Sequence, residues 1–142
     1  MRWLLLDEVV AIAKSRFART RSRIPEHPVS AELLLMEMMA QTGALLLGAE
    51  KDFQEDLVFA KIDRADFYPG FQAGEKIEIN ASSDHLRPEG AWFEAEINAA
   101  GGKVAQGRFF LINVGRLVPN HSFPITFHEN FMNHFQIRMK VK

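Results

Sequence analysis

Ala31-Glu-Leu-Leu-Leu-Met-Glu-Met-Met-Ala-Gln-Thr-Gly-Ala-Leu-Leu-Leu-Gly48 decides the architecture of this chain. No polar stripe runs through it at any helical spacing, so a helix made from it must be enclosed by protein rather than laid on a surface. Ser30 stands where an N-cap is expected, Glu32 favours the positive end of the helix, and Gly43 and Gly48 mark its weak point and its stop. Near the middle lies one carboxylate, Glu37. An acid in an apolar setting must find partners or keep its proton, and a group held in that condition is a candidate for acid or base chemistry.

The chain around this helix has 142 residues, of which 47% are hydrophobic and 25% charged, the composition of a single globular domain with a full core. Its 17 basic and 18 acidic residues nearly cancel, so no overall field points to nucleic acid or to an anionic membrane. Cysteine is absent, which excludes disulfides, thiolate metal sites and cysteine nucleophiles, and fits a cytoplasmic protein. Trp3-Leu-Leu-Leu6 is too short for the apolar core of an export signal. The apolar run 33–47 falls short of a bilayer span and carries Glu37 and Gln41, so no membrane helix is expected.

Strand signals surround the helix. Residues 3–13 and 15–21 read as one or two strands, followed by the proline-marked loop 24–30; strands are expected again over 57–64, 76–81, 92–97 and 103–114. Ile77, Ile79 and Ala81 alternate with Lys76, Glu78 and Asn80, and Phe93, Ala95 and Ile97 with Trp92, Glu94 and Glu96, so these strands have one wet face. Turn signals at Pro69-Gly70, Gly74, Pro88-Glu-Gly90 and Gly101-Gly102 favour antiparallel hairpins. In the tail, Phe135, Ile137, Met139 and Val141 alternate with polar residues and predict an edge strand; Phe123, Phe127, Phe131 and Phe135 recur every four residues and predict a helix instead. The resulting fold class is α+β, one long buried helix over about 31–48 wrapped by a curved antiparallel sheet of five to seven strands. One sheet covers one side of a helix, so the other side calls for a second subunit or loop segments, and a dimer is expected.

The segment Arg23-Ile-Pro-Glu-His-Pro-Val-Ser-Ala-Glu-Leu-Leu-Leu-Met-Glu-Met-Met-Ala-Gln41 resembles the FabA/FabZ-type 3-hydroxyacyl-[acyl-carrier-protein] dehydratases. Their pattern H-F-P-G-x-P-x-M-P-G-x-L-x-x-E-x-x-x-Q lies on it without a gap, with Pro25, Pro28, Leu34, Glu37, Ala40 and Gln41 matching. The stretch from Phe67 to Ile77, the strand beginning at Lys103 and the run Trp3 to Asp7 look like further parts of that family. The likeness covers about residues 2–115 and leaves 116–142 as a C-terminal extension. It implies a single domain of the hotdog fold, paired into a homodimer or larger assembly, or with a hetero-partner. It also implies a thioester substrate on the phosphopantetheine of acyl carrier protein or coenzyme A, with no other cofactor and no metal.

The same resemblance implies that Glu37 pairs across the dimer interface with the residue at position 23, a histidine in the family and Arg23 here. A guanidinium cannot accept a proton near neutral pH, so Arg23 is no general base; it could hold a charge or clamp Glu37 in an ion pair. His27, four residues on, is the nearest titratable substitute. The family's M-P-G turn, which polarises the thioester carbonyl, reads Ser30-Ala31-Glu32, leaving the Glu32 N–H without the glycine that permits close approach. Gln41, Glu32 and Leu33 are the candidate substrate contacts. His128, Glu129 and His134 lack the spacing of a zinc pair on one helix face, and Asp84-His85 reads as a polar turn. Three functions remain open from sequence: a dehydratase with Glu37 as acid, a thioesterase in which Glu37 activates water, and a silent subunit paired with an active homologue.

Overall fold

A computed structural model describes residues 5–26, 30–83, 85–120 and 122–142. The expectations resting on Trp3, His27, Pro28 and Asp84 lie outside the described residues. Element order is β1 (Glu8–Ala13), β2 (Phe17–Arg23), α1 (Ala31–Ala49), β3 (Asp56–Phe67), β4 (Lys76–Ser82), β5 (Gly90–Ala99), β6 (Gly102–Gly115), α2 (Glu129–His134) and α3 (Ile137–Lys140). The six strands form one antiparallel sheet in the order β1-β2-β4-β5-β6-β3. Register shifts in β3 between Asp56 and Leu57, Phe59 and Lys61, and Ile62 and Arg64 bend this edge strand, which is how the sheet curls around the helix.

The alternation read from sequence sets the inner face. Ile77, Ile79, Ala81, Phe93, Ala95 and Ile97 are buried, while their neighbours point outward. Three strands supply an aromatic floor: Phe93 on β5 stacks on Phe109 of β6 with ring centroids 5.9 Å apart, and Phe109 stacks on Phe59 of β3 at 5.7 Å. Helix α1 lies on this floor, burying Leu35, Met38, Met39, Leu45, Leu46 and Leu47. Each such side chain removed from water contributes about 1.5–3 kcal/mol. Gly43 is the point of closest approach, since a Cβ there would stand 3.0 Å from the Phe109 ring. The residue expected to weaken the helix therefore lets it seat.

A buried polar tie fixes the rotation of α1. Thr42 donates to the Met38 carbonyl at 2.8 Å, so Thr20 of β2 must supply the proton in the 2.8 Å Thr20–Thr42 bond between hydroxyls. Ser30 occupies the N-cap position, but its hydroxyl donates to the Glu32 carboxylate at 2.6 Å rather than capping the helix. The helix is long and apolar enough to cross a membrane by length and composition, yet two thirds of it (67%) is enclosed by the fold.

The edge strand expected at 135–142 is not formed. The tail instead makes two short helices, broken at Gln136, whose φ of +51° is left-handed. The four-residue phenylalanine spacing won over the alternation, because Phe127, Met132, Phe135 and Ile137 are buried whereas Met139 is 78% exposed. At the β1 edge it is the chain end that meets the sheet: the Lys142 N–H donates to the Ile12 carbonyl at 2.8 Å, and Val141 bridges Ile12 of β1.

Candidate active site

Glu37, Gln41, Ala44 and Gly48 fall at spacings of four, three and four, so they share the stripe of α1 that faces away from the aromatic floor. Side chains shrink along this stripe toward its end. Residues 125–134 lie over it, with Phe127 on Gly48 at one end and a cavity beside Glu37 at the other. At the narrow end the Phe127 ring sits where any Cβ on Gly48 would be, and it meets Phe53 edge to face with centroids 5.2 Å apart. Aromatic contacts continue the cover, Phe127 to Phe131 at 6.3 Å and Phe131 to Phe135 at 5.2 Å.

One buried carboxylate latches this cover to the edge of the sheet. Asp56, fully buried at the start of β3, accepts the Leu117 N–H at 2.8 Å and the Thr126 N–H at 2.7 Å, and the Thr126 hydroxyl in turn accepts the Leu57 N–H at 3.1 Å. Burial pushes the Asp56 carboxyl up, but these backbone donors and the Thr126 hydroxyl outweigh it and hold it below the usual carboxylate range. With the latch on β3 and the chain end on β1, the C-terminal segment ties together the two edge strands across the open side of the sheet. The helix side that sequence reasoning assigned to a second subunit or to loops is thus covered in part by the chain's own tail.

Under the wide end of the cover is a cavity of about 630 Å³. Glu37, Gln41 and Ala44 form its helical wall; Phe127, Phe131 and Ile125 supply apolar surface, and His128, Asn130 and His134 supply polar groups. A smaller space of about 140 Å³ continues from it toward Leu57, Phe59 and Leu111, with Glu37 and Gln41 on the wall of both. Burial raises the Glu37 carboxyl above its ordinary value, partly opposed by the Gln41 amide, which donates to Glu37 Oε1 at 3.3 Å. The Gln41 carbonyl accepts the Leu5 N–H at 3.4 Å, so Gln41 ties the carboxyl to the first strand region. Among the described residues no ion pair reaches Glu37 within the chain. The site is an acid beside an amide at the junction of two largely apolar spaces.

The other sequence candidates are placed elsewhere. Arg23 ends β2, donates to the Gly74 carbonyl at 3.1 Å, and lines a surface hollow with Asp7, Lys76 and Glu78 that does not include Glu37. Leu33 is 65% exposed at the start of α1, outside both spaces. The Ser30 hydroxyl and the residue's own backbone N–H hold the Glu32 carboxyl below its ordinary value, so the N–H expected to polarise a carbonyl is engaged by its own side chain. His128, Asn130 and His134 were missed as site residues. Their signal was the phenylalanine period, which places Phe127, Asn130, Phe131 and His134 on one helical face. His128 caps α2, its Nδ1 accepting the Asn130 N–H at 3.3 Å. No group of three or more metal-ligating side chains is assembled among the described residues.

No family model matches the sequence. Over 99 residues the chain is 28% identical to the 3-hydroxyacyl-[acyl-carrier-protein] dehydratase FabZ of Polaromonas sp. strain JS666, covering 59% of this chain and 68% of that protein. Among solved structures it is similar to the PaaI protein of the E. coli phenylacetic acid degradation operon, with a TM-score of 0.63 and 15% identity over 76% of this chain and 79% of that one. A hypothetical thioesterase from Streptococcus pneumoniae TIGR4, solved with coenzyme A, superposes with a TM-score of 0.61 at 11% identity, covering 76% and 85%. A third, smu.793 from Streptococcus mutans UA159 bound to acetyl CoA, gives 0.62 at 11% identity over 76% and 88%. The chain has the hotdog fold, one helix wrapped by a curved antiparallel sheet.

Proposed function

We propose that this protein dehydrates 3-hydroxyacyl thioesters carried on the phosphopantetheine arm of acyl carrier protein or coenzyme A, with Glu37 as the acid. The observation that carries this reading is the Glu37 carboxyl, desolvated and bonded to Gln41 on the wall of an apolar cavity. The 28% identity to a dehydratase supports it, as do hotdog neighbours solved with coenzyme A and acetyl CoA. Dehydration breaks the C2–H bond, turns its electron pair into the new double bond and expels the C3 hydroxyl as water. The hydroxyl leaves only if it is protonated, and a carboxyl whose proton is retained by burial suits that step. Gln41 orients the carboxyl, and the aromatic cover excludes bulk water from the acyl group.

A second reading is hydrolysis of the thioester with Glu37 directing water. It is favoured by Arg23, which stands where the resembling dehydratases carry histidine, and by the thioesterase named among the fold neighbours. One assay separates the two. Purified protein is given 3-hydroxyacyl and saturated acyl pantetheine thioesters of several lengths, and enoyl product and free thiol are followed separately. Enoyl product is expected, falling about 10²–10⁴-fold in Glu37→Gln. Free thiol without enoyl product would select hydrolysis, and neither product at any length would end both readings.

A further inference from the structure

Dehydration at Glu37 leaves one role unfilled, the base that takes the C2 proton. The position at which the resembling enzymes carry a histidine is Arg23, and Arg23 is engaged by the Gly74 carbonyl and lines a different hollow. Among the described residues the imidazoles that share a cavity with Glu37 come from the C-terminal segment, outside the span of the family likeness.

We infer that His134, on the cavity-facing side of α2, is the general base that works opposite Glu37, so that the C-terminal segment completes the active site it covers. The inference rests on the dehydratase reading above. Three observations carry it. First, Glu37 and His134 line the same cavity of about 630 Å³, one from α1 and one from α2. Second, His134 follows Asn130 by one helical turn, and both share with Phe131 the face of α2 that lines the cavity. Its ring is held edge-on to Phe135, with centroids 4.7 Å apart, and among the described residues no hydrogen bond engages its nitrogens. Third, the other imidazole on this cavity among the described residues is committed. His128 spends Nδ1 as acceptor for the Asn130 N–H, so its neutral form carries the proton on Nε2 and has no nitrogen lone pair left for the C2 proton.

Among the described residues the titratable groups facing this space are Glu37 from α1, His128 from the helix cap and His134 from α2, and the β3 residues on its wall, Leu57, Val58 and Phe59, carry no charge. The step then balances within the chain. His134 accepts the C2 proton, the electron pair forms the C2–C3 double bond, and Glu37 gives its proton to the departing hydroxyl. Water leaves, and exchange with solvent returns His134 to neutral and Glu37 to its protonated form. The Phe127–Phe131–Phe135 series packs the segment that carries His134.

The test compares His134→Gln, His128→Asn and His85→Gln in the full chain, with 3-hydroxyacyl pantetheine as substrate. His134 is exposed at the cavity mouth, so its replacement leaves folding intact, and thermal melting checks this. His85 lies on the outer face of the sheet with Ser83 and Trp92 and serves as the control. His134→Gln should lose about 10²–10⁴-fold in kcat with unchanged melting, and the rising limb of its kcat/KM pH profile should vanish, because that limb reports a base that must be unprotonated. His85→Gln should behave as wild type. Dehydration by wild type that survives in His134→Gln within about threefold would overturn the inference and leave the dehydratase reading standing. A large loss in His128→Asn with His134→Gln near wild type would also overturn it, by moving the base to the cap. Absence of enoyl product from wild type, with Glu37→Gln equally inert, would remove the dehydratase reading and this inference with it.

Discussion

The two sides of α1 are held by different means. On one side methionines and leucines lie on three stacked phenylalanines, and a hydroxyl tie between Thr20 and Thr42 sets the rotation. On the other, a cover made of irregular chain and a six-residue helix is pinned by one aspartate at one end, and one aromatic ring fits over a glycine. Among the described residues the two cavities that border α1 both include Glu37, the larger one under the cover and the smaller one reaching Phe59 and Leu111. Dense packing fixes where the carboxyl points, and the loosely filled side leaves room for a ligand. The energetic cost of disrupting each side should differ accordingly.

The largest effect is expected on the dense side. Phe109→Ala removes the middle ring of the floor, fully buried between Phe59 and Phe93 and against Gly43, and should lower stability by about 3–5 kcal/mol in denaturant unfolding. A loss below about 1 kcal/mol would mean that the floor collapses freely and that the contrast between the two sides is false. A smaller effect is expected at the latch. Asp56→Asn keeps one acceptor but turns an N–H donor toward a backbone N–H, which should cost about 1–3 kcal/mol. The loss should be local: amide exchange should accelerate over 117–134 while β4 and β5 stay protected. Because the Asp56 carboxyl is held low, its contribution is fully present above the unfolded value of about 3.9 and disappears as pH falls through the folded value below that. Acid should therefore free the cover in the native protein, and Asp56→Asn should remove that part of the acid response.

The same contrast explains what the sequence made legible. The dense side was readable because it rests on periodicity: an all-round apolar helix and period-two strands leave one way to bury both, and β4 and β5 appeared within a few residues of their expected bounds. Glu37 and Gln41 were readable as polar residues out of place in such a helix, and the structure joins them by a hydrogen bond. The cover was not readable for three physical reasons. Residues 135–141 satisfy a strand alternation and extend a phenylalanine helix spacing at once, and the choice was made by tertiary burial and by the left-handed turn at Gln136. Asp56 follows Gln54 and Glu55, so its sequence context is that of a solvated turn, and only the returning chain at Leu117 and Thr126 makes it a buried acceptor. His134 shares its cavity with a residue nearly a hundred positions earlier, a relation no local pattern encodes. Its role as a site residue became visible only when the tail was seen to cross the stripe of Glu37, Gln41, Ala44 and Gly48.

A smaller effect on stability is expected at Glu37, where the expected effect on turnover is large. Burial raises the Glu37 carboxyl, so the folded chain binds that proton more tightly than the unfolded chain does. Stability from this group is therefore greatest below the unfolded glutamate value of about 4.3 and declines as pH rises through the raised folded value, above which the full cost of the buried charge remains. Gln41 moderates that cost by donating to the ionised oxygen, and the cavity opening lets solvent share it, so the decline should be shallow. Glu37→Gln abolishes the charge and keeps the shape. Its stability curve should lie close to wild type at low pH and rise above it by a fraction of 1 kcal/mol near neutral pH, a difference readable as a pH-dependent gap in Tm. A wild-type curve that instead gains on the variant as pH rises would show that Glu37 has a cationic partner in solution, such as the Arg23 of a second copy, and would turn the open side of the helix into a closed ionic contact.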